Sequence, residues 1–135
     1  MFIHETQVRV RYADTDKMGF AYYGNYPKYY EIARVEGFRS LGFPYKEMED
    51  NGIMLPVFAL HVDYKKSAVY DDLITVRTTL KKTPSVRIEF DFEIRNEIGE
   101  ILVTGNTVLV FMDKVQKRPV KCPEELLRKI EKLND

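Results

Sequence analysis

The stretch that most restricts how this chain can fold runs from about Gly24 to Gly42. Tyr26, Tyr29, Tyr30, Ala33 and Gly37 recur at helical spacing, and Ile32, Val35 and Phe38 widen the apolar surface. Lys28, Glu31, Arg34, Glu36 and Arg39 leave only a narrow polar face. A helix that is apolar round most of its circumference has to be enclosed, because no single orientation on a surface hides it from water. Asn25 and Pro27 suit its start, since a proline in the first turn removes an N–H that has no helical partner anyway. Gly42 and Pro44 end it. Tyr45–Asn51 reads as a short second helix stopped by Gly52.

The enclosing material is read from the segments on either side. Val8, Val10 and Tyr12 alternate with Gln7, Arg9 and Arg11, the period of a half-buried strand. Four further strands are predicted over Ile53–Ser67, Leu73–Lys82, Val86–Arg95 and Ile101–Met112. The third of these alternates Val86, Ile88, Phe90, Phe92 and Ile94 against Arg87, Glu89, Asp91, Glu93 and Arg95, a clean amphipathic pattern. Tyr70-Asp71-Asp72 and Asn96-Glu97-Ile98-Gly99 mark turns, and Pro123–Leu133 a C-terminal helix. Five strands enclose one helix only if their sheet curls around it. The expected fold class is therefore α+β, a hot-dog fold: a curved antiparallel β-sheet wrapped around a central α-helix, as one domain over residues 1–135.

Composition narrows the function classes. Basic and acidic residues cancel, 21 against 21, so no global positive field favours nucleic acid. Cys122 is the lone cysteine, which rules out an intrachain disulfide and a cysteine metal cluster. No apolar run is long enough to be a signal peptide core or a membrane span. A cytoplasmic protein without membrane insertion is expected, one that neither binds nucleic acid nor carries a cofactor or metal.

Most familiar catalytic constellations are missing. His4 and His61 are too few and too far apart for a zinc motif. There is no glycine-rich phosphate loop and no Gly-x-Ser-x-Gly elbow, and Ser40, Ser67 and Ser85 have no evident partner histidine. Cys122, beside Pro123 at a helix start, is read as a bland thiol. Two acids remain, Asp14 and Asp16, in the turn between the first strand and the apolar helix, with Gly19 supplying a permissive backbone nearby. From the residues alone two readings stand. One acid caps the helix while the other is solvated, or a carboxylate near the unpaired amides of a helix start combines a nucleophile or base with an oxyanion-stabilising dipole.

The run Val10-x-Tyr12-x-Asp14-Thr15-Asp16-x-x-Gly19-x-x-Tyr22, continued by Asn25-Tyr26 and Glu31-x-Ala33-Arg34, resembles the signature of the 4-hydroxybenzoyl-CoA thioesterase-like branch of hot-dog acyl-CoA thioesterases. The resemblance continues through Ala68-x-Tyr70-Asp71-Asp72-Leu73 to Lys117-x-Pro119 and Pro123, covering most of the chain. It implies an acyl-CoA thioester hydrolase in which Asp16 is the nucleophile or the general base. The backbone amide of Tyr23 would polarise the thioester carbonyl. Several relatives carry a histidine where Tyr23 stands, and the 4-hydroxybenzoyl type has tyrosine there. Substrate contacts are expected at Gly19, at Tyr26 and Tyr30 along the acyl group, and at Lys82, Ser85 and Arg87 for the coenzyme A phosphates. The helix pair Glu31 and Arg34 is expected to be structural.

The resemblance further implies a homodimer joined edge to edge, or a homotetramer of such dimers. Each site would then lie between protomers, with Asp16 from one and the Pro56–Tyr64 region from its neighbour. A hot-dog dehydratase would need a histidine that the central helix lacks. The alternative from a different class is a non-catalytic acyl-CoA-binding sensor or scaffold of the same fold.

Overall fold

The computed structural model describes residues 1–133. Strand β1 (Phe2–Arg9) leads through a 3₁₀ turn at Tyr12–Asp14 and a second at Tyr23–Asn25 into helix α1 (Tyr26–Ser40). Helix α2 (Tyr45–Asp50) and the two-residue strand β2 (Ile53–Met54) follow. The long strands β3 (Val57–Tyr64), β4 (Leu73–Leu80), β5 (Arg87–Arg95) and β6 (Ile101–Val110) come next. Strand β7 (Met112–Asp113) and helix α3 (Glu124–Lys132) complete the order.

The main sheet runs β1-β4-β5-β6-β3, every pairing antiparallel. Its curl follows from what α1 touches. β1 and β3 are the two edges, which in a flat sheet would stand about 19 Å apart, four strand spacings of about 4.8 Å. Yet α1 reaches both: Gly37 lies under the Phe2 ring of β1, and the Tyr30 hydroxyl points to the His61 carbonyl of β3. A helix only about 10–12 Å across does this when the sheet bends round it. The hot-dog fold expected from the sequence is the one observed.

Burial along β5 follows the predicted alternation, with Ile88, Phe90, Phe92 and Ile94 inward. Tyr30 stacks on Phe92 at 4.2 Å and Phe38 meets Phe90 edge-on, so the helix and the sheet interlock through aromatic faces. Gly105 makes the Tyr30 contact possible. A Cβ there would sit 2.0 Å from the Tyr30 hydroxyl oxygen and 2.2 Å from the His61 carbonyl oxygen.

Three details depart from the sequence reading. The first strand ends at Arg9, and Tyr12 is turned out into solvent, because the chain tightens into the 3₁₀ turn at that residue. The segment expected as one strand over Ile53–Ser67 is split into β2 and β3 around Pro56, which has no N–H to give a ladder. Arg34, placed on the polar face, is instead buried at 8% exposure, and it forms no ion pair with Glu31.

Candidate active site

The segment between β1 and α1 is a small hairpin. Thr15 bridges Ala21, the Asp16 N–H donates to the Phe20 carbonyl (2.9 Å), and the Gly19 N–H closes the turn on the Asp16 carbonyl (3.1 Å). Gly19 has φ +81°, a left-handed value that a side chain would strain. The hairpin is tied to β4's approach by the Tyr70 N–H on the Gly19 carbonyl and the Ala21 N–H on the Ala68 carbonyl.

The two acids of this hairpin have different surroundings. Asp14 is 5% exposed. Its Oδ2 accepts from the Arg11 N–H (3.1 Å) and the Tyr29 hydroxyl (3.2 Å), and its Oδ1 accepts from Lys28 Nζ. Burial raises its pKa, but the Lys28 ammonium, the Arg11 N–H and the Tyr29 hydroxyl together outweigh burial and hold it below the ordinary value. The Asp14 carbonyl accepts from the Tyr22 N–H and from Asn25 Nδ2, both at 2.8 Å. Asp14 therefore bolts the hairpin to the first turns of α1 from both its side chain and its backbone. Asn25 contributes to that bolt and does not cap the helix with its own side chain.

Asp16 is half-exposed. One oxygen, Oδ1, accepts from the N–H groups of Met18 (2.8 Å) and Phe20 (3.3 Å). The other, Oδ2, has no partner among the described residues. The carboxylate is thus oriented through one oxygen, and Asp16 lines an open cleft of about 950 Å³ with Tyr12, Thr15, Lys17, Gly19 and Tyr70. Tyr12 and Tyr70 meet edge-on across it at 5.9 Å.

Tyr23 opens the 3₁₀ turn that precedes α1. The Tyr22 N–H is spent on Asp14, whereas the Tyr23 N–H has no acceptor among the described residues. Its carbonyl accepts from the Tyr64 hydroxyl (2.8 Å), which fixes the turn against β3. The Tyr23 ring is exposed and tilted against Tyr22. Asp16 and the free N–H of Tyr23 stand on the same hairpin-to-helix segment, seven residues apart.

The remaining expected contacts fall into two places. Tyr26 and Tyr30 are buried: the Ala68 N–H donates to the Tyr26 hydroxyl (3.1 Å), and Tyr30 also borders a separate cavity beside α1. Burial pushes both hydroxyls above their ordinary pKa, so they stay neutral. Lys82, Ser85 and Arg87 do come together, around a shallow depression of about 230 Å³ at the start of β5, with Glu89 on its rim. The Arg87 guanidinium lies 4.3 Å over the Phe58 ring of β3, a cation–π contact that holds it beside the sheet edge. Cys122 is buried and its thiol is pushed up to about 12, so it is protonated at neutral pH and is no nucleophile.

Residues 10–130 match the thioesterase-like superfamily. The chain belongs to that family. The acyl-CoA thioesterase YbgC of Haemophilus influenzae is 31% identical over 121 residues, 88% of each chain. A DHNA-CoA thioesterase from Staphylococcus aureus superposes with a TM-score of 0.91 at 38% identity, covering 99% of this chain and 94% of that one. A 1,4-dihydroxy-2-naphthoyl-CoA thioesterase from Synechocystis matches at TM-score 0.90 and 20% identity over 99% of both chains, a likeness of fold alone. The hot-dog thioesterase resemblance read from the hairpin motif is thus a family relationship that spans nearly the whole chain.

Sequence reasoning missed the partners that separate the two acids. By sequence Lys28 and Tyr29 are helix residues only, and nothing in their spacing announces a contact 14 or 15 positions back. Tyr64, which pins the turn carrying the free amide, lies in the predicted strand Ile53–Ser67, and nothing in that strand's pattern announces its bond to the Tyr23 carbonyl.

Proposed function

We propose that this chain hydrolyses an acyl-CoA thioester to a free carboxylic acid and coenzyme A, with Asp16 and the Tyr23 N–H as its reacting groups. The observation that carries the reading is a pairing of loose ends in a thioesterase-family chain. Asp16 Oδ2 and the Tyr23 N–H are both without partners among the described residues, on a segment that the Asp14 bonds and the hairpin ladder hold in place beside an open cleft.

The chemistry needs little more. A thioester carbonyl is a good electrophile and its thiolate leaves readily. Asp16 attacks the carbonyl carbon, or takes a proton from the water that does. Negative charge then collects on the carbonyl oxygen, where the Tyr23 N–H stabilises it. Collapse breaks the C–S bond, and the thiolate departs and is protonated. In the nucleophilic route the one water consumed enters afterwards and cleaves the acyl–Asp16 anhydride, restoring the Asp16 carboxylate. Loss of one oxyanion donor typically costs about 3 kcal/mol, and placing the reactants near contact supplies several kcal/mol more.

Coenzyme A phosphates are assigned to Lys82, Ser85 and Arg87, and the acyl group to the region bounded by Gly19, Tyr26 and Tyr30. A second copy is assigned to β3. That strand is a sheet edge with Val57, Phe58, Leu60 and Tyr64 about half or more exposed, and an unpaired apolar edge is stabilised by adding a strand. The assembly is a homodimer through β3, or a homotetramer of such dimers.

The test is thiol release from a panel of acyl-CoAs by the wild type and by Asp16→Asn. Turnover in the wild type that collapses in the folded variant is expected. Binding of acyl-CoA without thiol release would replace the hydrolase reading with that of an acyl-CoA-binding scaffold.

A further inference from the structure

Among the described residues, two buried polar groups without partners lie together away from the hairpin. Between α1, α2 and strands β3 and β6 there is a cavity of about 570 Å³, within the range that small-molecule sites occupy. Two buried side chains that line it lack hydrogen-bond partners: Arg34 through Nε, at 8% exposure, and Thr107 through Oγ1, at 1%. Each is more than nine-tenths buried. A buried hydroxyl or N–H left without a partner is destabilising, and a buried unpaired guanidinium more so. Thr78 Oγ1 on β4 is the other buried side-chain atom without a partner among the described residues, and it does not line this cavity; Arg34 and Thr107 share one space, and together they call for an acceptor that the chain itself does not supply.

The rest of the lining says what kind. Tyr30 and Val35 of α1 make the walls largely apolar, together with Val57 and Leu60 of β3, the edge assigned above to a second copy, so the cavity borders that proposed interface. Lys28 borders the cavity, but its ammonium is committed to Asp14. Glu31 and Glu49 also border it, but both are exposed, where water screens their charge. Arg34 stays protonated even though burial lowers its pKa, with Tyr45 and Glu31 acting against that shift. The buried charge is therefore positive and forked, surrounded by apolar and aromatic surface.

We propose that this cavity is a carboxylate subsite, in which Arg34 and Thr107 bind the carboxylate of an aryl or short-alkyl acid. A guanidinium presents parallel N–H groups that match the two carboxylate oxygens, and the Thr107 hydroxyl adds a third donor. The carboxylate has two possible sources: the far end of a dicarboxylic acyl group on coenzyme A, or a free acid such as a thioesterase releases. The first source, though not the site itself, rests on the hydrolase reading above.

Benzoate is the probe for the site, followed by calorimetry and by thermal unfolding of the full chain, with benzamide as its uncharged control. Wild type is expected to bind benzoate saturably, with a rise in Tm that benzamide does not give. Arg34→Met, which keeps the stem and removes the charge, is expected to weaken benzoate at least about tenfold while its own Tm is unchanged or higher. Thr107→Val, nearly isosteric, is expected to weaken it by a smaller factor. If Arg34→Met does not fold, Thr107→Val decides: undiminished benzoate binding overturns the proposal. Absence of benzoate binding by wild type overturns it, as does equal binding by Arg34→Met. Dissociation of an oligomer in Arg34→Met, with no benzoate response in wild type, also overturns it, since a second copy then satisfies the guanidinium.

A kinetic arm assigns the source, using acyl-CoAs of one length ending in a carboxylate or in a methyl group. A preference for the carboxylate end that falls about tenfold or more in Arg34→Met identifies the acyl group. An unchanged preference beside lost benzoate binding identifies the free acid. Arg34-dependent benzoate binding in a protein that cleaves no acyl-CoA would leave the subsite standing and remove the hydrolase reading alone.

Discussion

Replacing each acid of the hairpin by its amide separates architecture from chemistry. In Asp14→Asn the new side chain cannot satisfy all its neighbours. With its oxygen turned to the Arg11 N–H and the Tyr29 hydroxyl, its NH₂ group meets the Lys28 ammonium. Flipped, the NH₂ group meets the Arg11 N–H. One donor-to-donor contact is unavoidable at a site only 5% exposed. Hydrogen bonds to a charged group are worth about 1.5–3 kcal/mol each, and a buried donor left without an acceptor costs about 1–3 kcal/mol. A loss of about 2–4 kcal/mol is expected, a fall in Tm on the order of 10 °C for a chain of this size. In Asp16→Asn the amide oxygen still accepts from the Met18 and Phe20 N–H groups, and the NH₂ group replaces an oxygen that has no partner among the described residues. Its stability change is expected within about 0.5 kcal/mol. Turnover is expected to fall about 10²- to 10⁴-fold, the usual contribution of a positioned base or more. Denaturant unfolding gives the first quantity and thiol release, corrected for the folded fraction, gives the second. The division of roles is wrong if Asp16→Asn is the less stable variant, or if Asp14→Asn loses turnover with its stability intact.

Acid should act through Asp14 as well. Its folded pKa lies below the ordinary 3.8, so its stabilising contribution is complete above that value and is lost as pH falls through the lower folded one. Unfolding free energy should therefore drop more steeply below about pH 4 in wild type than in Asp14→Asn, and parallel curves would contradict this. Gly105→Ala should cost about 3 kcal/mol or more, because the added methyl meets a backbone carbonyl that cannot move as well as the Tyr30 hydroxyl. Tyr30→Phe should relieve only part of it, and a cost below about 1 kcal/mol in denaturant unfolding would show that the contact relaxes. Arg87→Glu should raise KM for acyl-CoA about tenfold with kcat nearly unchanged, the pattern of a group that binds ground and transition state alike; steady-state thiol release checks it, and a fall in kcat alone would move Arg87 out of the phosphate site. Leu60→Lys should shift the oligomer toward monomer in light scattering, by placing charge on the exposed apolar edge of β3, and an unchanged mass would place the interface elsewhere.

The sequence by itself determined the order of the long strands and helices, the enclosed helix and, through the hairpin motif, the family. Those are written in local periodicity and in residue types at fixed offsets, which need no knowledge of what touches what. The aromatic helix demanded a wrapping sheet because apolar area on every side has to be covered. Distant contacts decided the rest. Asp14 and Asp16 look equivalent two positions apart, and only the approach of Lys28, Tyr29 and Arg11 buries one while a turn leaves the other's Oδ2 free. Arg34 shows the same limit from the opposite side. Its place on the helix is polar by count, but the closing of α2 and β3 over that face puts it inside, beside Thr107, at the rim of a cavity no linear pattern records. Periodicity reports which face of an element is apolar. What else packs on that face, and which charge it strands there, is settled only when strands far apart in sequence meet.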